Sequence, residues 1–442
     1  MGSESKTLLK LLVDQQRMSY TGFERRFNET SRRVLGKGAN NPTCGETQFR
    51  RWTGGKLKGL PGPETCQVLE AMFPGYAVAE LFGPPPSADD PQAPAYNLEE
   101  QIRMTAREAH EGADVTATAS ISDTTVDELR DQVVNLAREY HGIAPLRAFT
   151  EANRLRQEAE RQRDRTQVPI QQQELMILTG QAAALLAAAA FDLGYLADAR
   201  SFARTAALYG ETTRFTPLRA FADGVLAYTA YFRGETTEAV RKAKGALSHG
   251  GIGDVATRRL LTIQGRSFAH LGDVESARHA IQLSEQTETG ARDALHDDVG
   301  GEFGFSQERL AMSNSSTSLL IGDGRQAEAT ALHALELLAG QPQDSRSPHV
   351  LGGAAADLAL ARLMNNDVEG AADALDPVWG IPGPQRMTGV LVRTARVRRY
   401  LSRPTYHGAQ LPQELRERIE DFTVASEPYR LGLRTGLLEL EA

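Results

Sequence analysis

Five short stretches of this chain share a spacing that few folds accommodate. They are "FDLGYLADARSFARTA", "YFRGETTEAVRKAKGA", "AHLGDVESARHAIQLS", "LLIGDGRQAEATALHA" and "LMNNDVEGAADALDPV". Each places a small turn residue (Gly194, Gly234, Gly272, Gly322 or Asn366) five positions ahead of an alanine (Ala199, Ala239, Ala277, Ala327 or Ala371). The turn residues lie 40, 38, 50 and 44 positions apart. Apolar residues at helical spacing precede and follow each turn. Gly or Asn can take the left-handed conformation that ends one helix. Alanine early in the next helix lets two axes approach to about 8–10 Å. One such pair cannot bury its own apolar faces, so successive pairs must stack. Only 6% of residues are aromatic and 40 are glycine, which favours closely packed helices over a β-sandwich. The expected fold class is all-α.

The pattern resembles the tetratricopeptide repeat, with intervals longer than its usual period of about 34 residues. Helices over 126–160 read as a leading pair, and "LPQELRERIEDF" (411–422) reads as a closing cap. Residues 123–442 are therefore expected to form a tetratricopeptide-like sensor and dimerisation domain, an α-solenoid whose first helices line an inner surface. Such a surface takes a peptide, a small molecule or a protein segment. Candidate ligand-binding residues on or beside it are Gln181, Tyr228, Tyr231, Arg258, Gln264, Phe303, Phe305, Arg309 and Asn314. The longest interval contains the extra segment "HDDVGGEFGFSQ". Its Phe303 and Phe305 form either a mobile lip over a pocket or filler for the seam between repeats. Tyr228 and Tyr231 are either ligand contacts or core.

Charge divides the chain unevenly. The whole carries a formal net charge of -8, yet residues 6–60 hold twelve Lys and Arg against four acids. That asymmetry suits a polyanion-binding head on an acidic body. Within the head, "SYTGFERRFNETSRRVLG" keeps Phe23, Phe27 and Val34 on one helical face, with Ser19 or Thr21 as its cap. A further helix is expected to begin at Thr43, where Thr43 and Glu46 have capping-box spacing. It turns Phe49 and Trp52 inward and presents Cys44, Thr47, Gln48 and Arg51 on another face. A major groove admits one α-helix, and Arg and Gln read its base edges. Neighbouring cations hold phosphates and set the register.

The run "FRRWTGGKLKGLPGPETCQVLEAMFPGYAVAELFGPP" resembles the lambda-repressor-like (XRE-type) helix-turn-helix domain of large actinobacterial transcriptional regulators. "DRTQVPIQQQELMILTGQAAALLAAAAFDLG", "GGEFGFSQERL" and "ALDPVWGIPGPQRMTGVLVRTARVRRYL" also resemble those regulators. The resemblance implies a helix-turn-helix DNA-binding domain over 1–82. Thr43, Cys44, Thr47, Gln48, Arg50, Arg51, Lys56 and Lys58 are its candidate DNA-binding residues. Thr47, Gln48 and Arg51 are assigned to bases and Arg50, Lys56 and Lys58 to phosphates; Cys44 either touches a thymine methyl or, as is commoner for a cysteine at a helix start, is packed or exposed. A loop over about 35–42 precedes the reading helix, longer than in simpler members.

Residues 83–122, opening with "GPPPSADDPQAPAYN", read as a linker with one helix over 98–110. Thr125 and Glu128 have capping-box spacing for the helix after it. Two cysteines, Cys44 and Cys66, build neither a disulfide framework nor a four-thiolate metal centre. "MGSESKTLLKLLVDQQ" is interrupted by charge and does not read as a signal peptide. "GQAAALLAAAAFDLG" (180–194) is too short for a span. A cytoplasmic, nucleoid-associated protein with no membrane contact is expected. The chain has no H-E-x-x-H, C-x-x-C, P-loop or G-x-S-x-G pattern, and "HDD" and "ADD" read as solvated turns. No enzyme activity, cofactor or metal is therefore expected. The expected partners are double-stranded DNA, a second copy in a homodimer and a ligand of the repeat domain. The alternative is an interaction scaffold that recruits or sequesters another regulator without specific DNA readout.

Overall fold

In the computed structural model, the described residues are 6–36, 41–57, 59–85, 102–106 and 120–431. Most of the expected linker, and Lys58, lie outside them. Residues 102–106 are helical. The chain divides into two compact units, Met1–His110 and Glu111–Ala442. Among the described residues every regular element is helical.

The first unit contains α1 (Leu8–Gln15), α2 (Tyr20–Leu35), α3 (Glu46–Thr53), α4 (Pro63–Met72) and α5 (Val78–Leu81). Ser19 caps α2 by accepting from the Gly22 N–H. The core is aromatic. Phe23 meets Phe49 with ring centres 4.8 Å apart, and Phe27 meets Trp52 at 6.0 Å. Thr7 is fully buried, and its hydroxyl donates to the carbonyl oxygens of Trp52 (3.4 Å) and Thr53 (3.3 Å). That bond fixes the end of α3 against the start of α1.

The second unit opens with α6 (Asp123–Glu139) and α7 (Pro145–Arg165). Ser122 stands at the N-cap of α6, so Thr125 falls inside its first turn and the expected Thr125–Glu128 box does not form. Six consecutive helix pairs follow among the described residues. They are α8 (Pro169–Asp192) with α9 (Leu196–Thr212), α10 (Thr216–Phe232) with α11 (Thr236–Leu247), and α12 (Asp254–His270) with α13 (Val274–Gln286). Then come α14 (Gln307–Leu320) with α15 (Gly324–Ala339), α16 (Pro348–Met364) with α17 (Val368–Trp379), and α18 (Thr388–Leu401) with α19 (Gln410–Val424). A short α20 (Glu427–Arg430) ends the described part.

The five turn residues take positive φ, between 64° at Asn366 and 88° at Gly194. After each, the next N–H bonds back across the turn: Tyr195 to Ala190 O (2.8 Å), Glu235 to Ala230 O (2.9 Å), Asp273 to Phe268 O (3.0 Å), Asp323 to Ser318 O (2.9 Å) and Asp367 to Arg362 O (2.9 Å). These are the six-to-one bonds of Schellman termini, which satisfy carbonyls the helix leaves orphaned. Asp273, Asp323 and Asp367 then cap the second helix through their side chains. One local sequence signal thus closes one helix and opens the next. The alanines five positions after the turns are all fully buried.

Among the described residues one helix, α8, is long and apolar enough to cross a bilayer, extending the apolar run beyond the 180–194 stretch. Most of it is buried inside the unit. A helix that is apolar all round has neighbours all round, and α8 packs on α7, α9 and α10.

The array curls until its last pair touches its first. Thr388 on α18 donates its hydroxyl to the Asp192 carbonyl of α8 (2.8 Å), and the Tyr195 hydroxyl donates to the Leu431 carbonyl (3.0 Å). Two non-repeat segments fill the interior. Residues 140–142 reach α16 and α14, and the long connection between α13 and α14 turns inward. There Phe303 is fully buried against Phe221, ring centres 4.9 Å apart. Asp293 ties the same connection down by accepting from the Gly253 N–H and engaging the His296 ring at 2.9 Å. Burial raises the Asp293 carboxyl, but His296 and the backbone N–H groups overcome that and hold it at about 2. His296 and Asp293 are buried, so "HDD" is part of a pinned turn rather than a wholly solvated one.

Candidate functional site

Two surfaces carry chemistry. In the first unit, α3 starts at Glu46 with Gly45 as its N-cap and no side-chain cap. The expected capping box is therefore not formed, and Glu46 pairs with Arg50 instead, at 2.5 Å. The cause is tertiary. Cys44 is 1% exposed, and its carbonyl accepts from the Tyr20 hydroxyl (3.3 Å), which keeps 43–45 extended. Cys44 is a core residue, out of reach of a thymine methyl. Burial pushes its thiol up to about 12. Trp52 is buried and Phe49 half-buried, whereas Thr43, Thr47, Gln48, Arg50, Arg51 and Lys56 are exposed. Arg51 and Lys56 form no ion pair among the described residues, so their charges face solvent.

In the second unit, the first helices of all six pairs meet around a cavity of about 90 Å³. One water needs only ~10–15 Å³ on this measure, so the space has room for more than a single water. On α12, Arg259, Thr262, Ile263 and Arg266 reach it at steps of three, one and three, one stripe of a helix. Arg309, Met312 and Ser313 repeat that spacing on α14. Phe191, Val225, Tyr228 and Phe305 supply an apolar side, while His141, Glu302, His349 and Arg393 supply a polar one. A wider recess of about 740 Å³ lies alongside and shares His141, Phe305 and Arg309 with the cavity.

Charges on the wall are linked. Glu302 lies 3.2 Å from His141 Nε2 and 3.4 Å from the Arg309 guanidinium. Burial raises the Glu302 carboxyl, but Arg309 and His141 overcome that and hold it at about 2. His141 Nε2 also lies 3.2 Å from Arg309. Burial first, then the Arg309 charge, lowers the His141 pKa. Burial and Arg393 hold His349 well below the usual imidazole value. Asp192 accepts from the Tyr140 hydroxyl at 2.8 Å, and burial, with Glu302 adding its charge, pushes it up to about 7. Arg393 is 2% exposed and joins Asp357 of α16 (3.2 Å) and Ser316 of α14 (3.1 Å). Perturbed titratable groups converging on a concavity mark a candidate functional site.

Of the ligand candidates, Tyr228, Phe305 and Arg309 line the cavity. Gln181, Tyr231, Arg258, Gln264, Phe303 and Asn314 do not. Asn314 pins α14 to α13 through Ser284 and Glu285, each at 3.2 Å. Arg258 turns away to the Thr287 carbonyl. Tyr231 is buried beside Phe232, ring centres 5.2 Å apart. Phe303 is seam filler rather than a lip. His141, Asp192, Arg259, Arg266, Glu302, His349 and Arg393 also line the cavity and are not among those candidates. Arginines inside otherwise apolar helix stripes, as in "RRLLTIQGR" and "VLVRTARV", were the available signal. Among the described residues, no three His, Cys, Asp or Glu gather as a metal-holding set.

Compared with known proteins, the chain matches no family model and no curated relative.

Proposed function

We propose that this chain is a sequence-specific DNA-binding transcriptional regulator of XRE helix-turn-helix type, with a tetratricopeptide-like body that senses a ligand. The observation that carries the reading is α3. Its aromatic side is anchored in the core, and Thr47, Gln48 and Arg51 stand exposed on a unit rich in cations. Such a helix can enter a major groove and read base edges, with Arg50 and Lys56 beside it for phosphates. An eight-residue helix reads few base pairs. The protein therefore acts as a homodimer on paired half-sites, in the cytoplasm and on the nucleoid. The interior plugged by 140–142 and 294–305 favours a small molecule over a peptide as the signal.

Selection of operator sequences from random duplexes, followed by fluorescence anisotropy on the full chain, tests this. Affinity should fall linearly on a log–log plot against salt as counterions are released. Arg51→Ala should weaken the selected site by about 1–3 kcal/mol, roughly five- to 150-fold, and much less on random DNA. A chain that selects no sequence, or whose binding ignores salt, refutes the reading.

A further inference from the structure

The helix assigned to the major groove carries its one acid at the end that enters first. Between Glu29 and Glu64 stand seven Lys and Arg and a single carboxylate, Glu46. Glu46 is the first residue of α3. In helix-turn-helix docking the N-terminal residues of the second helix meet the base edges. A carboxylate there faces the phosphates lining the groove, and like charge costs affinity on any duplex.

No contact within the unit offsets that cost. The capping box with Thr43 does not form, and α3 has no side-chain cap. Glu46 Oε1 instead accepts from Nη2 of Arg50, one turn on, at 2.5 Å. Both side chains stay open to solvent, Glu46 53% exposed and Arg50 76%. An exposed pair of this kind adds little to stability, but it orients the carboxylate. Oε1 is taken by Arg50, which leaves Oε2 to accept from a donor outside the helix. Arg50 keeps its other N–H groups for a phosphate.

The major groove offers a carboxylate few partners. Guanine shows N7 and O6, both acceptors, and thymine shows O4 and a methyl group. Adenine has a donor at N6, but the acceptor N7 lies beside it. Cytosine shows its N4 amino group alone. We propose that Glu46 is a specificity-determining residue: it accepts from a cytosine N4 amino group, with Arg50 as its positioning residue, and it penalises every duplex that lacks cytosine there. Rejecting wrong partners contributes to selectivity as much as binding the right one. The proposal rests on the regulator reading and adds to the contacts of Thr47, Gln48 and Arg51 one that works by repulsion.

The test runs operator selection in parallel on the full-length wild type, Glu46→Ala and Glu46→Gln. Anisotropy then compares the selected duplex, the same duplex with one pair changed, and random DNA. Wild type should require C at one position of each half-site, and changing it should cost roughly five- to 150-fold. In Glu46→Ala the same change should cost less than about twofold. Glu46→Gln, whose amide reads adenine, should favour A at that position. Both variants should bind random DNA about fivefold tighter, the worth of one like charge about 4 Å away in water. A carboxylate in a first turn also suits the helix dipole. If that were its whole role, the variants would keep the wild-type base preferences and bind no duplex more tightly, and either result overturns the proposal. A wild-type preference for G or T at the position Glu46 controls overturns it as well. An operator selected identically by wild type and Glu46→Ala removes only the role of Glu46. A wild-type chain that selects no sequence fails the regulator reading and takes this proposal with it.

Discussion

Asp357→Asn isolates the strongest polar joint of the repeat body. Asp357 is 1% exposed and Arg393 2%. Together with Ser316 they tie α14, α16 and α18, three helices from different pairs. The asparagine keeps the size of the side chain but leaves a guanidinium in the interior without its counter-charge. Breaking one side of a buried pair costs about 3–5 kcal/mol. Arg393 keeps Ser316 and the Gly389 carbonyl (2.8 Å) as acceptors, so the expected loss is near the lower end, about 3 kcal/mol. For a unit this long that is a fall in Tm on the order of 5 °C. Replacing both partners by apolar residues, Asp357→Leu with Arg393→Met, removes the stranded charge and should cost less than Asp357→Asn alone. Urea unfolding of Asp357→Leu, Arg393→Met and the double variant completes the cycle. A single-variant loss below about 1 kcal/mol, or a double-variant loss equal to the sum of the singles, refutes the account of this joint as a mutually dependent pair.

Three further outcomes follow from the geometry. Asp192 has its folded pKa raised to about 7 from 3.8, so the folded chain holds a proton that the unfolded chain releases, and Asp192 loses stability as pH rises between these values. Asp192→Asn should therefore gain stability over wild type from about pH 4 upward and level off above about pH 7; a pH-independent difference in urea midpoints contradicts this. Gly272→Ala places a Cβ in open space at φ +77°, so only the left-handed penalty applies, about 1 kcal/mol after the stiffer unfolded chain is counted. Gly301→Ala, at φ +60°, adds a Cβ into the Ala137 carbonyl beside Glu302, and should cost several times more in thermal unfolding; equal losses would show that this backbone yields freely.

The repeat body was legible because its signals are local. A left-handed residue and a buried alanine five positions on are demands of one turn, and each was readable in its own sixteen residues. The facing of α3 was legible for the same reason, since Phe49 and Trp52 share a side at helical spacing. Its start was not. Burial of Cys44 and the bond from Tyr20 join residues 24 apart and moved the first turn to Glu46. The cavity was least legible. Arg259, not the candidate Arg258, lines the wall, and neighbouring helix positions point about 100° apart. His141 and Glu302 belong to no repeat and meet only because the Glu302 N–H bonds to the Ala137 carbonyl at 2.8 Å, a contact that spacing along the chain does not encode.

Linear repeat arrays ordinarily fray from their ends, each unit leaning only on its neighbours. Here the Thr388 hydroxyl and the Asp192 carbonyl bond across 196 positions of chain, so the first and last of the six pairs brace one another. Neither of those two pairs offers a cheap place to begin unzipping. Shortening this body by one pair would not leave a smaller copy of it but an open arc, with buried faces of α8 and α18 turned to water.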